Sequence, residues 1–247
     1  KLWQGLTAFD KVSLDVEYRL TVPSYTGLTI QNSFGDTYLQ GVSAAVSLDL
    51  SYGNLRIREV PAKSRIKLSS GRAVLGNAPA LRLELKDAEL ELRESDNLDL
   101  RSQSSEIRME RVGEVILESK RDVVRIEQVG SLDGEAHFSD WTIENLLDRA
   151  DLVWTLGSLD IEAISPYCTE LRISQRNAEV EINVEGLGFD LQAYLEGGKL
   201  IAPKELGKME VKLLDVKHEI RTVAAVIGNG STRIILKGDG GQVALFK

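Results

Sequence analysis

The sequence predicts an all-β, single-domain β-helix or β-solenoid of about nine to eleven coils of roughly 17–18 residues, closed by extra strands and a C-terminal hairpin. Three observations carry that expectation: a short motif recurring every 17–18 residues, apolar columns that hold register through those steps, and apolar–polar alternation inside each step. A unit this short cannot bury its own apolar face, so it has to stack on its neighbours and share a continuous core.

The repeat is plainest near the start. Ser33-Phe34-Gly35-Asp36 precedes Thr37-Tyr38-Leu39, and Ser51-Tyr52-Gly53-Asn54 precedes Leu55-Arg56-Ile57, an offset of 18. Ser69-Ser70-Gly71-Arg72 with Ala73-Val74-Leu75 follows after another 18. Further on, Glu106–Gly113 matches Val123–Gly130 at an offset of 17. One register position then runs through Leu39, Ile57, Leu75, Leu92, Met109, Ile126, Ile143, Ile161 and Ile182, all aliphatic or Met. Two residues earlier stand Thr37, Leu55, Ala73, Leu90, Ile107, Val124, Trp141, Leu159 and Val180, with a mostly polar column between. Alternation at period two places one set of side chains toward a core and the other toward solvent.

A second strand precedes it in every step, with inward columns beginning at Leu28 and Ile30 and recurring as far as Leu171 and Ile173. A third inward position at Val42, Val60, Ala78, Val112, Val129, Leu146 and Ile164 points to a third side, interrupted by Ser95 and Glu185. Strands that pair at about 4.7–4.9 Å give nine coils a length on the order of 40 Å. Gly and Asn/Asp sit at the corners, where a positive φ is cheap for those residues, and Phe34, Tyr52 and Phe138 share a corner column. Thr142 to Asp151 has some helical character, but the columns run through it, so strand is expected.

The ends depart from the repeat and divide the single domain into three parts. Residues 1–26 are expected to hold an N-terminal capping strand, because Lys11 to Pro23 alternates at Val12, Leu14 and Val16. Residues 27–185 are the solenoid repeats, and 186–247 an irregular coil, a β-hairpin and a closing strand. Asn229-Gly230 between Ala224–Ile227 and Arg233–Leu236 is the hairpin signal. Gly240-Gly241-Gln242-Val243-Ala244-Leu245 reads as one more solenoid strand.

Composition bounds the function. With 43% apolar and 28% charged residues, the 247-residue chain has an ordinary folded balance, and no apolar run reaches the ~18–20 residues of a membrane span. A net charge of −8 and a pI near 5.0 repel phosphate backbones, so no nucleic-acid partner is expected. Cys168 stands alone, which rules out an internal disulfide and a cysteine zinc site. No P-loop, dinucleotide-binding glycine motif or HExxH is present, and His137 and His218 are read as surface residues. No catalytic, metal-binding or cofactor residue is therefore assigned. Glu89 and Glu106 form the one direct acidic pair along a corner column, a weak calcium prospect beside solvated edge residues. Trp141 belongs to the inward column; Tyr38 and Tyr52, outward or at a corner, suit ligand contact better.

At Ser33-Phe34-Gly35-Asp36 and Ser51-Tyr52-Gly53-Asn54, preceded by Val22-Pro23 and Leu28-Thr29-Ile30, the sequence resembles the adhesin families of the Bacteroidetes cell envelope (the DUF4097 and head-GIN, DUF2807, type). Ile227-Gly228-Asn229-Gly230 and Gly240-Gly241-Gln242-Val243 are similar to that family's closing segment. After the second turn the Phe/Tyr-Gly pair is largely lost, as at Gln103-Ser104-Ser105-Glu106. The resemblance implies a β-solenoid with no catalytic residues, exported to the periplasm or cell surface with its signal peptide removed. It implies an adhesin-like or scaffolding role toward a glycan or protein ligand. The alternative is a polysaccharide-active β-helix enzyme, pectinase- or lyase-like, against which the short steps count because they leave no room for long loops before Ile161.

Overall fold

The computed structural model describes residues 16–207 and 209–247. Strands β1 (Leu28–Ser33) and β2 (Thr37–Leu39) form the first coil, and β3 (Val46–Ser51) and β4 (Leu55–Glu59) the second. After β5 (Ser64–Ser69) the strands lengthen, because the chain bends from one side of a coil to the next without leaving its ladder. They are β6 (Arg72–Lys86), β7 (Glu89–Gln103), β8 (Glu106–Lys120), β9 (Val123–Ile143) and β10 (Leu146–Ile161). Then come β11 (Glu170–Arg176), β12 (Glu179–Asn183), β13 (Phe189–Glu196), β14 (Lys199–Ile201) and a 3-10 turn at Lys204–Leu206. The series ends with β15 (Glu210–Asp215), β16 (Ile220–Ile227), β17 (Thr232–Asp239) and β18 (Gln242–Phe246).

The protein is a β-solenoid of about nine successive coils. Parallel pairing joins Ile30 to Leu48, Leu48 to Ile66, and so on through Leu83, Leu100, Leu117, Gly134, Leu152 and Ile173, the column the periodicity predicts. On the second side Leu39, Ile57, Leu75, Leu92, Met109 and Ile126 are likewise in register. From the second coil onward these inward residues other than Gly134 are buried, and each apolar side chain contributes about 1.5–3 kcal/mol relative to exposure. The stretch 142–151 is strand on either side of a bend at 144–145, as expected.

The third side closes the coil more completely than the pattern indicates. Ser95 does not interrupt it: the side chain is buried and donates to the Ala78 carbonyl at 2.7 Å. At the ninth coil the inward residue is Val184, one place before Glu185. A further inward column on the first side carries Leu50, Leu68, Leu85, Ser102, Ser119, Ala136 and Trp154. Its two serines belong to a buried polar network around Asp122. That carboxylate accepts from Ser102 Oγ and Ser119 Oγ at 2.7 Å, from the Ser105 amide at 2.8 Å and from the Lys120 amide at 2.9 Å. Four donors replace the water that Asp122 gives up. Next to it Trp141 donates to Ser119 Oγ and packs edge-on against Trp154, with ring centroids 5.9 Å apart.

The corners work differently from the expectation. Positive φ falls on the residue before each glycine, Phe34 at 63°, Tyr52 at 55° and Ser70 at 55°, and continues through Asp87, Ser104, Arg121, Phe138, Leu156 and Asn177. At the second and third of these corners the following position is glycine because the coils approach closely there. A Cβ on Gly53 would lie 2.1 Å from the Gly35 carbonyl oxygen.

Both ends correct the sequence reading. Of the expected capping strand over Lys11 to Pro23, residues 11–15 lie outside the described residues. Residues 16–27 contain no strand; a turn at Pro23–Thr26 accepts backbone hydrogen bonds from Ser43 and Ala44 at the Ser24 carbonyl. At the other end, β16 and β17 are not paired with each other. Phe189 of β13 pairs with Ile227 on one flank and Thr232 on the other, antiparallel to β16 and parallel to β17. The Asn229-Gly230 turn therefore straddles β13 instead of closing a two-strand hairpin. Gly188 makes the crossing possible, since a Cβ there would sit 2.0 Å from Asn229 Oδ1. The antiparallel hairpin lies one connection earlier, between β15 and β16, where the Asp215 carboxylate holds the turn through the Lys217 and His218 amides.

This crossing sets the order of the layers. β17 pairs with β11 on one side and β13 on the other, and β18 lies between β12 and β14. The last strands of the chain thus form the tenth layer, beneath an eleventh built from residues nearer the N-terminus. Of the expected strand over Gly240–Leu245, Gly240 and Gly241 form the corner and Gln242–Phe246 the solenoid strand, inserted into the stack.

Candidate functional site

The outward face of the second side offers the most varied chemistry, because its alternating positions face solvent all along the rod. The column Tyr38, Arg56, Val74, Glu91, Arg108 and Arg125 runs beside Gln40, Arg58, Gly76, Arg93, Glu110 and Glu127. Together they line a groove of about 630 Å³. Farther along the same face, Asp140, Ser158, Asp160, Glu179 and Glu181 join Glu106 and Arg125 around a second depression of about 450 Å³. The face is rich in arginine toward the N-terminal coils and in carboxylates toward the C-terminal ones.

Most outward arginines have a carboxylate partner. Arg72 meets Glu91 at 2.5 Å, Arg82 meets Asp99 at 2.6 Å, Arg101 meets Glu118 at 3.1 Å and Arg125 meets Glu144 at 2.7 Å. Arg108 pairs with Glu106, and Arg111 with Glu94 at 3.2 Å. Exposed pairs of this kind add about 0–1 kcal/mol each, so they matter more for cancelling charge than for stability. Arg56, Arg58 and Arg93 differ, as do Arg65, Arg121 and Arg149 elsewhere on the surface. Among the described residues none of them has a carboxylate within 4.0 Å. Arg93 donates instead to the neutral Asn77 Oδ1 at 2.6 Å.

In the second depression Asp160 is the unusual group. Burial pushes its carboxyl above the ordinary value of 3.8, Glu181 on the adjoining coil adds to the rise, and Arg125 opposes it. Asp160 Oδ1 is buried without a hydrogen-bond partner. A carboxyl raised by burial beside a second carboxylate side chain is one element of the arrangements used for general acid and base.

The residues singled out in the sequence fall as follows. Glu89 and Glu106 are register neighbours, but Arg72 lies 3.9 Å from Glu89 and Arg108 pairs with Glu106, so each acid is partly neutralised. No group of three metal-ligating side chains occurs among the described residues. Trp141 is fully buried, whereas Tyr38 and Tyr52 are 67% and 60% exposed. Tyr52 stacks on the still more exposed Phe34, centroids 5.0 Å apart and rings inclined by 6°. His137 and His218 lie on the surface beside Glu135 and Asp215. Cys168 is buried, and its thiol is pushed up to about 11 by burial. No helix among the described residues is long and apolar enough to cross a membrane.

The sequence reading passed over Arg56, Arg58, Arg93 and Asp160. The signal was present in the register: writing each outward residue beside its neighbours on the adjoining coils puts Arg56 directly between Tyr38 and Val74, neither of them acidic. No protein-family model, curated protein or solved structure matches the chain.

Proposed function

We propose that the protein is a non-catalytic, adhesin-like or scaffolding element of the bacterial cell envelope, exported to the periplasm or cell surface, that binds a glycan or protein through its rigid solenoid surface. The Bacteroidetes adhesin families that its SFGD-type corners resemble share this role. One observation carries the reading: exposed Tyr38 and the Phe34–Tyr52 stack stand together on a backbone held by ladders on consecutive coils. Such aromatics are anchored before any ligand arrives, which lowers the ordering cost of binding.

A glycan-array screen of the purified protein, with and without calcium and with an assay for polymer cleavage, tests it. Binding without cleavage is the expected result. A second reading, a polysaccharide-active enzyme, is favoured by Asp160 alone, whose raised carboxyl beside Glu181 suits acid–base work. Polymer cleavage that disappears in Asp160→Asn would establish that reading in place of the first.

A further inference from the structure

We propose that the groove bounded by Tyr38, Arg56, Arg58, Val74, Gly76 and Arg93 binds an acidic polysaccharide, one bearing carboxylate or sulfate groups along an extended chain. This deepens the binding role proposed above and rests on it.

The argument starts from charge. The chain carries a net charge of −8, and its outward arginines are mostly neutralised by a carboxylate on the same or the next coil. Arg65, Arg121 and Arg149 also lack such a partner but stand apart from one another, whereas Arg56, Arg58 and Arg93, likewise without one among the described residues, line one groove. Arg56 and Arg58 are two residues apart on β4, so both point outward on the same face. Uncharged residues flank both on either side, Tyr38 and Gln40 on the first coil, Val74 and Gly76 on the third. Arg93, one coil beyond Gly76, lines the same groove and donates to the neutral Asn77 Oδ1 at 2.6 Å. Three like charges around a depression repel one another, and an anion seated between them relieves that repulsion. The planar guanidinium matches carboxylate and sulfate oxygens two at a time.

The shape argues for a polymer over a lone ion. The groove continues from Tyr38 on the first coil to Glu127 on the sixth, a run of about 24 Å at ~4.8 Å per coil. Its N-terminal end carries the exposed Tyr38 ring, with the Phe34–Tyr52 stack at the adjoining corner. Aromatic faces offer apolar area at little conformational cost, which suits the apolar face of a sugar ring between two anionic groups. No acid lines the groove on its first three coils; on the fourth Glu91 enters but is engaged by Arg72 at 2.5 Å, and Glu110 and Glu127 follow beyond. The overall negative charge disfavours nonspecific adsorption of any polyanion, so binding there would have to be local.

The test uses the full chain and isothermal titration against polygalacturonate, heparin and neutral dextran in 50 mM salt and again in 300 mM. Three proteins are compared: the parent, Arg56→Ala/Arg58→Ala, and the control Arg82→Ala/Arg101→Ala, whose arginines lie on the first side and are paired. The expected result is binding of at least one acidic polymer and not of dextran. It should weaken ten-fold or more in Arg56→Ala/Arg58→Ala, weaken at higher salt, and stay within two-fold of the parent in the control. Polygalacturonate against heparin separates carboxylate from sulfate recognition. Acidic-polymer binding untouched by Arg56→Ala/Arg58→Ala would overturn the site while leaving the binding role standing. Binding of dextran alone would overturn the ligand class, and silence here together with silence on the glycan array would remove the binding role itself.

Discussion

The two ends of the rod solve one problem in different ways. Any solenoid coil has an apolar interior and an open hydrogen-bonding edge, and both must be dealt with where the stack stops. At the C-terminal end the chain builds past the stopping point, folds β15 and β16 over the outermost layer, then sends β17 and β18 back into the stack. Inward residues there are sealed: Phe189 and Leu191 at 0% exposure and Leu236 at 1%. At the N-terminal end β1 and β2 pair only inward among the described residues, and Leu28, Ile30, Leu39 and Val42 are half-buried. Position in the same column therefore does not imply equal burial. The layer beyond decides.

Removing residues 232–247 should have the largest effect, because it deletes the layer joining β11 to β13 and strips both neighbours of their ladder. We expect the truncated chain to lose its cooperative thermal transition. A sharp melt near that of the intact chain would mean that β13 can dock on β11 directly. Within one column, Leu236→Ala should cost about 3 kcal/mol and Ile30→Ala about 1 kcal/mol, since the first leaves a sealed cavity and the second a site open to water. Denaturant midpoints measure both, and equal losses would show that the first coil is covered as well as the tenth.

Cys168 reports on the same contrast. Its carbonyl accepts from Thr232 Oγ1 at 2.8 Å, so it lies against the start of the inserted strand, and a thiol pushed up to about 11 stays protonated at neutral pH. Labelling by a thiol reagent at pH 7.5 should be at least a hundred-fold slower than in denaturant. It should speed up before global unfolding if β17 leaves first.

The smallest effect concerns Asp160. Its carboxyl is raised in the folded chain, so folding is favoured when it is protonated and weakened as pH climbs through the folded-state value. Asp160→Asn should melt slightly higher than the parent at pH 7. The difference should vanish as pH falls below 3.8, where folded and unfolded chains are both protonated. A gap that persists at low pH would place the effect outside ionisation.

Much of the fold was legible in the sequence, and what was not has a common cause. Columns such as Leu39–Ile182 are visible because neighbouring coils repeat the same physical demand. The same uniformity hides layer order: periodicity marks Gln242–Phe246 as a coil strand but cannot say which coil it lies against. Asn229-Gly230 misled for that reason, since a tight turn fixes direction reversal and not whether a third strand passes between its arms. Ser102, Ser119 and Asp122 concealed an inward column, because a core satisfied by hydrogen bonds looks polar in sequence. At the candidate site, the outward placement of Arg56 and Arg58 follows from alternation. Their lack of partners emerges only when adjoining coils are set side by side. The pull on Asp160 depends on burial, to which sequence is blind.

The position of β17 and β18 also has a temporal consequence. A ribosome releases the chain from its N-terminus, and the first nine coils can assemble in the order in which they emerge. The residues of the eleventh layer appear before those of the tenth, so that layer has nothing to rest on until residues 232–246 are out. Closure of the stack is thereby written into its architecture: a chain that stops before β17 and β18 is left with an unclosed end that a protease can recognise.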